Sequence, residues 1–188
     1  MNPNTILVLA IGLAVGIVIG AVLVYAIQQA RTKSLKARFG PEYGRIVAET
    51  GNRSKAEAVL ENRARRVKDL HIRTLDARER ARFQEAWREI QSRFVDDPGG
   101  ALREADLLIA EVMSVEGYPI QDFEQRAADI SVNYPRVIEN YREGHTTALK
   151  QSQGRATTEE LRKAMVHYRS LFEELVGQPE WVAERTRT

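Results

Sequence analysis

Residues 76–117 read DARERARFQEAWREIQSRFVDDPGGALREADLLIAEVMSVEG, and two helices can be placed in them from chemistry alone. Asp76 followed by Glu79 has the spacing of a capping box, in which each side chain satisfies a backbone N–H that the helix start leaves free. Behind it Phe83, Trp87, Ile90 and Phe94 recur at i, i+4, i+7 and i+11, one apolar stripe of a 3.6-residue period. Asp97-Pro98 then supplies an N-cap and a first helical residue whose missing N–H is no loss. The second helix turns Leu102, Ala105, Leu108, Ile109, Val112 and Met113 inward until Gly117 ends it. The Phe83–Phe94 stripe could dock a partner helix, but a bundle core needs the same spacing and is the preferred reading.

The same signals continue on both sides. A short helix starts at Pro41 and closes near Gly51, and another follows from about Ser54 to Leu70. Downstream, Phe123, Ala127 and Ile130 align until Tyr134-Pro135 breaks the run, and Val137, Ile138, Tyr141 and Ala148 mark the next helix. After the polar loop 151–156, Thr157 and Glu160 form a second capping box. It opens a helix carrying Leu161, Ala164, Met165, Tyr168, Leu171, Phe172 and Leu175, with Gly177 at its end. Strand patterns are nearly absent. The expectation is an all-α, bundle-like domain of six or seven amphipathic helices over residues 31–177, with 178–188 as a C-terminal tail.

Ahead of that domain, residues 6–27 are an unbroken apolar run, ILVLAIGLAVGIVIGAVLVYAI. As a helix it measures about 33 Å, close to the roughly 30 Å hydrocarbon core of a bilayer. This predicts an N-terminal stub and transmembrane anchor over residues 1–30. No Lys or Arg precedes the run, whereas Arg31, Lys33, Lys36 and Arg38 follow it. The positive-inside rule therefore puts the N-terminus outside and the domain in the cytoplasm. With 22 Arg to 6 Lys suggesting a bacterial source, the predicted location is the inner membrane, single-pass. Those four basic residues would also meet lipid headgroups. Gly12, Gly16 and Gly20 lie on one helix face, where close backbone approach could pair two copies within the bilayer.

The formal net charge is +2, and it hides an asymmetry. Residues 31–82 carry a net of +8 and residues 83–188 a net of −6. Nucleic acid is a poor match to the basic half. Glu57, Glu61, Asp69, Asp76 and Glu79 interrupt it and no stacking aromatic precedes Phe83, so a solvated or lipid-facing surface is preferred. The absence of cysteine excludes disulfides, thiolate metal sites and a thiol nucleophile. No metal-binding His pair, phosphate-binding loop or nucleophile elbow occurs, and no cofactor or catalytic residue is assigned. Gly99-Gly100 could expose N–H groups to an anion, but Asp96 and Asp97 would repel it. His145, one turn from Tyr141, reads as a core or boundary histidine.

Four segments, RFGPEYGRIV (38–47), FVDDPGGALREADLLIAEVMSVEGYP (94–119), FEQRAADISVNYP (123–135) and MVHYRSLFEELV (165–176), resemble an uncharacterised family of bacterial single-pass membrane proteins. The likeness spans most of residues 38–177. It implies a bacterial origin and a helical domain, and it transfers no activity or site residue. The functional expectation is a membrane-anchored interaction or scaffold module that recruits a protein partner to the inner face of the membrane. The alternatives are a helical small-molecule receptor or enzyme, for which Tyr141 or His145 should line a concave polar site, and last a tethered nucleic-acid binder.

Overall fold

The structure is a computed structural model that describes residues 3–120 and 122–177, without the side chains at 3–11, 14 and 15. All regular elements among the described residues are helices. They are α1 (Pro3–Phe39), α2 (Pro41–Thr50), α3 (Arg53–Asp69), α4 (Ala77–Arg93), α5 (Pro98–Glu116), α6 (Phe123–Asn133), α7 (Ile138–Ser152) and α8 (Thr158–Val176). The predicted tail at 178–188 lies outside the described residues. The chain divides into two units, Met1–Arg38 and Phe39–Thr188, eight residues later than the boundary expected at residue 30.

The first unit corrects the sequence reading. Among the described residues no helix is long and apolar enough to cross a membrane. The apolar run whose side chains are described without interruption is Gly16–Ile27, about 18 Å of helix, and Gln28, Gln29 and Arg31 follow it at once. In the first half of the predicted span the helix is described, but the side chains at 6–11, 14 and 15 are not. The expected transmembrane helix is therefore not sustained. The single-pass topology, the outside N-terminus and the inner-membrane location that depended on it fall with it.

In the second unit the predicted starts and stops are present. Asp76 and Thr157 each head a complete capping box, and Asp97 accepts from the Gly100 N–H at 2.8 Å with Pro98 behind it. Gly51 and Gly117 end α2 and α5 in the left-handed conformation, at φ 61° and 99°. Gly177 ends α8 differently, with an extended backbone at φ −66° and ψ −163°, and a Cβ there would stand 2.7 Å from the Glu173 carbonyl oxygen.

Helix α5 is the centre of the bundle, packed against α4, α7 and α8, and α7 pairs extensively with α8. Leu102, Ile109 and Met113 of α5 are fully buried together with Phe83, Ile138, Tyr141, Tyr168 and Leu171. Trp87 stacks on Phe172 at 4.6 Å, so the α4 stripe is core. Helix α7 can approach α8 closely because residue 144 is glycine, where an added Cβ would stand 3.0 Å from the Tyr168 ring. Helices α2 and α3 pack on each other, and α3 meets α6, which in turn meets α7.

Candidate functional site

Along α5 the side chains Leu102, Asp106, Ile109, Met113 and Glu116 follow one another at spacings of four, three, four and three. That is one face of a helix, so two carboxylates share the stripe that three fully buried apolar residues occupy. Burying an unpaired charge is strongly unfavourable, and each acid needs its own account.

Asp106 is answered by α7 and α8. Its Oδ1 accepts the Tyr168 hydroxyl at 3.0 Å and stands 3.9 Å from His145 Nδ1, beyond hydrogen-bond range. Burial pushes the Asp106 carboxyl up, but His145, Tyr168 and the Arg126 charge together hold it below its ordinary value. The His145 ring is clamped against Phe123, with centroids 3.6 Å apart and the planes within 5°. Phe123 also leans on Tyr141, which is 0 % exposed and whose phenol is pushed up by burial and the Asp106 charge.

Three buried polar atoms in this cluster, Tyr141 Oη, His145 Nδ1 and Arg126 Nε, have no hydrogen-bond partner among the described residues. Native interiors leave few such groups unpaired, so three in one place require explanation. The cluster lies behind a surface cleft of about 460 Å³ lined by Asp122, Phe123, Glu124, Arg142, His145, Thr146 and Leu149. His145 belongs to both. Its side chain is 21 % exposed while Nδ1 is turned inward, so the exposed part of the ring belongs to the cleft wall.

A second polar cluster lies beside the cleft. Glu42 of α2 is fully buried and accepts two bonds from Arg45 at 2.8 Å, one from Arg63 at 2.6 Å and one from Arg142 at 3.3 Å. Burial would raise its carboxyl, but these guanidinium groups outweigh that and hold it down at about 2. Arg142 also reaches Glu124 on the cleft rim at 3.0 Å, and Arg66 of α3 bonds Asp129 of α6 at 3.0 Å. Arg63 and Arg66, read from sequence as a solvated surface, therefore work as partners for buried carboxylates.

The remaining sequence candidates are placed as follows. Gly12, Gly16 and Gly20 share a face of α1, and among the described residues nothing beyond the adjoining helix backbone and chain neighbours comes within 4 Å of a Cβ built on them. Arg31, Lys33, Lys36 and Arg38 are exposed on the C-terminal part of the same helix. The Gly99–Gly100 turn is filled by the Asp97 side chain, which takes the N–H an anion would need. Apart from these candidates, His167 of α8 pairs with Glu143 of α7 at 2.9 Å. Asp106, Arg126 and Tyr168 were missed as site residues. The position of Asp106 on the apolar stripe of α5 was the available signal.

No family model, curated protein or solved structure matches the chain. The resemblance of its segments to a bacterial family rests on those segments alone.

Proposed function

We propose that this chain is a helical receptor for a small polar ligand, which enters the His145 cleft and reaches the polar groups behind it. The observation that carries this reading is the trio of buried unpaired atoms, Tyr141 Oη, His145 Nδ1 and Arg126 Nε. Leaving a buried donor or acceptor unpaired costs about 1–3 kcal/mol, so a ligand that supplied partners would recover stability on binding. The cleft volume falls within the range of ordinary ligand pockets, and its aromatic wall of Phe123 and His145 suits a flat or partly apolar molecule. No chemical step is assigned to the site.

The test is a thermal-shift screen of small acids, amines and nucleosides on the full chain, repeated on Tyr141→Phe and His145→Gln. A hit that raises the melting temperature of the wild type and loses its effect in either variant supports the reading. A high-resolution crystal structure with ordered waters satisfying all three atoms, together with no hit, would overturn it.

A second reading, the interaction module, is supported by a groove of about 450 Å³ between α4 and α8. Its floor is Trp87, Phe172 and Val176, and Gln84, Arg88, Gln91, Arg169 and Glu173 form its walls. An apolar floor with polar walls along two helices is the setting in which a partner's amphipathic helix binds. Photocrosslinking from Gln91 discriminates the readings. A partner captured there through one amphipathic helix, and not from exposed Arg103, favours this second reading. Equal capture from both positions counts against it.

A further inference from the structure

Glu116, the second acid on the α5 stripe, occupies the last turn of that helix and is 0 % exposed. Neither carboxylate oxygen has a hydrogen-bond partner among the described residues. It abuts the segment 70–76 that joins α3 to α4. The Arg73 N–H donates to the Glu116 backbone carbonyl at 2.9 Å, and Gly117 brings its backbone so near the His71 carbonyl that a Cβ would stand 2.6 Å away. Leu75, at 3 % exposed, anchors the other end of the segment in the core.

The charged neighbours of Glu116 are few. Among the described residues Arg73 is the cation that acts on it, and its guanidinium is held by Glu79 of α4 through two bonds of 2.7 Å. Exposed His71 lies on the same segment, with its backbone carbonyl against Gly117. On the neighbouring turn of α5, Glu111 is paired with Arg82 of α4 at 2.9 Å. From α6, Asn133 is engaged with the Tyr118 hydroxyl at 2.7 Å.

We propose that segment 70–76 is a proton-controlled strap. While Glu116 carries its proton, the strap stays seated on the end of α5. When the proton is lost to solvent, Arg73 exchanges Glu79 for Glu116 and the strap lifts. A carboxylate with no donor, at the helix end where carbonyl oxygens converge, is the unfavourable charge in the unfavourable place. Arg73 is already on the strap, half-exposed and held by Glu79, so in this proposal it delivers the compensating charge by leaving Glu79 and drawing along the backbone that carries it. Glu79 is not stranded by the exchange, because it keeps its bond to the Asp76 N–H. Burial pushes the Glu116 carboxyl up to about 8, and Arg73 opposes this only in part, so the exchange falls in a mildly alkaline range.

The experiment is amide hydrogen exchange on the full chain from about pH 6 to pH 9.5, corrected for the intrinsic pH dependence of exchange. The Arg73 amide should lose about tenfold or more of its protection across that range. Glu116→Gln should hold its protection constant, and Glu79→Gln, which frees Arg73, should move the loss to lower pH. Flat protection in the wild type overturns the proposal, as does an equal loss in Glu116→Gln. Should Glu116→Gln fail to fold, the direction of the shift in Glu79→Gln decides alone.

Discussion

The Tyr168 hydroxyl donates to Asp106 Oδ1 across 3.0 Å, and this one bond ties α8 to the acidic break in the α5 stripe. It does so over a glycine, because Gly144 leaves the space that the Tyr168 ring fills. The bond is charge-assisted and half-shielded from water, the setting in which hydrogen bonds contribute most.

Removing the hydroxyl tests that relationship. Tyr168→Phe should lower stability by about 1–3 kcal/mol in urea unfolding, since Asp106 keeps its charge and loses a donor. Gly144→Ala should cost a similar amount by forcing the ring aside, about 1–3 kcal/mol. Their effects should be non-additive in a double-mutant cycle, because both act through the same ring.

The Glu42 cluster sets the acid limit of stability. A carboxyl held at about 2 in the fold and near 4.5 when unfolded contributes stability that is present above 4.5 and disappears as pH falls through about 2. Melting temperature measured from pH 6 to pH 2 should fall steeply in the wild type. Glu42→Gln should start lower at pH 6, by about 3–5 kcal/mol, because three guanidinium groups lose the negative charge they share and face an NH2 donor in place of one acceptor oxygen, and should fall less on acidification.

Glu116 has the opposite sign. Its carboxyl is raised to about 8, so its contribution to stability is intact below 4.5 and is lost as pH rises through about 8. Glu116→Gln should therefore match the wild type near pH 4 and exceed it near pH 8 by roughly 2–4 kcal/mol in chemical unfolding. A variant less stable than the wild type at pH 8 would show that the carboxylate has a partner.

The two capping boxes make a local prediction. Asp76→Ala and Thr157→Ala should each cost about 1 kcal/mol by thermal unfolding. Asp76→Ala should cost more than Thr157→Ala, because Glu79, its reciprocal partner, also holds Arg73.

Local signals in the sequence were enough to place most helix boundaries. Asp76, Asp97, Thr157, Gly51 and Gly117 act through hydrogen bonds and dihedral angles within three or four residues, and such effects survive whatever the rest of the chain does. The same holds for the inward faces of α4, α5 and α8, where periodicity alone named Phe83, Leu102, Ile109 and Leu171 as core. Where an acid interrupted the apolar period, at Asp106 and Glu116, the sequence carried a signal that needed only to be counted.

Partners that meet across the fold were not legible in this way. Arg63 and Arg142 are 21 and 100 residues from Glu42, and Arg66 is 63 from Asp129, so no spacing rule connects them. The apolar run at 6–27 shows the reverse limit, since hydropathy suggested a membrane span that no helix among the described residues sustains. Helix ends and faces are short-range properties of the chain, and the sequence by itself determined them. The identity of each buried charge's partner, and the cleft behind which three polar atoms stand unpaired, depended on how those faces packed. Only the tertiary structure decided that, because burial turns an ordinary surface side chain into one that must find a partner.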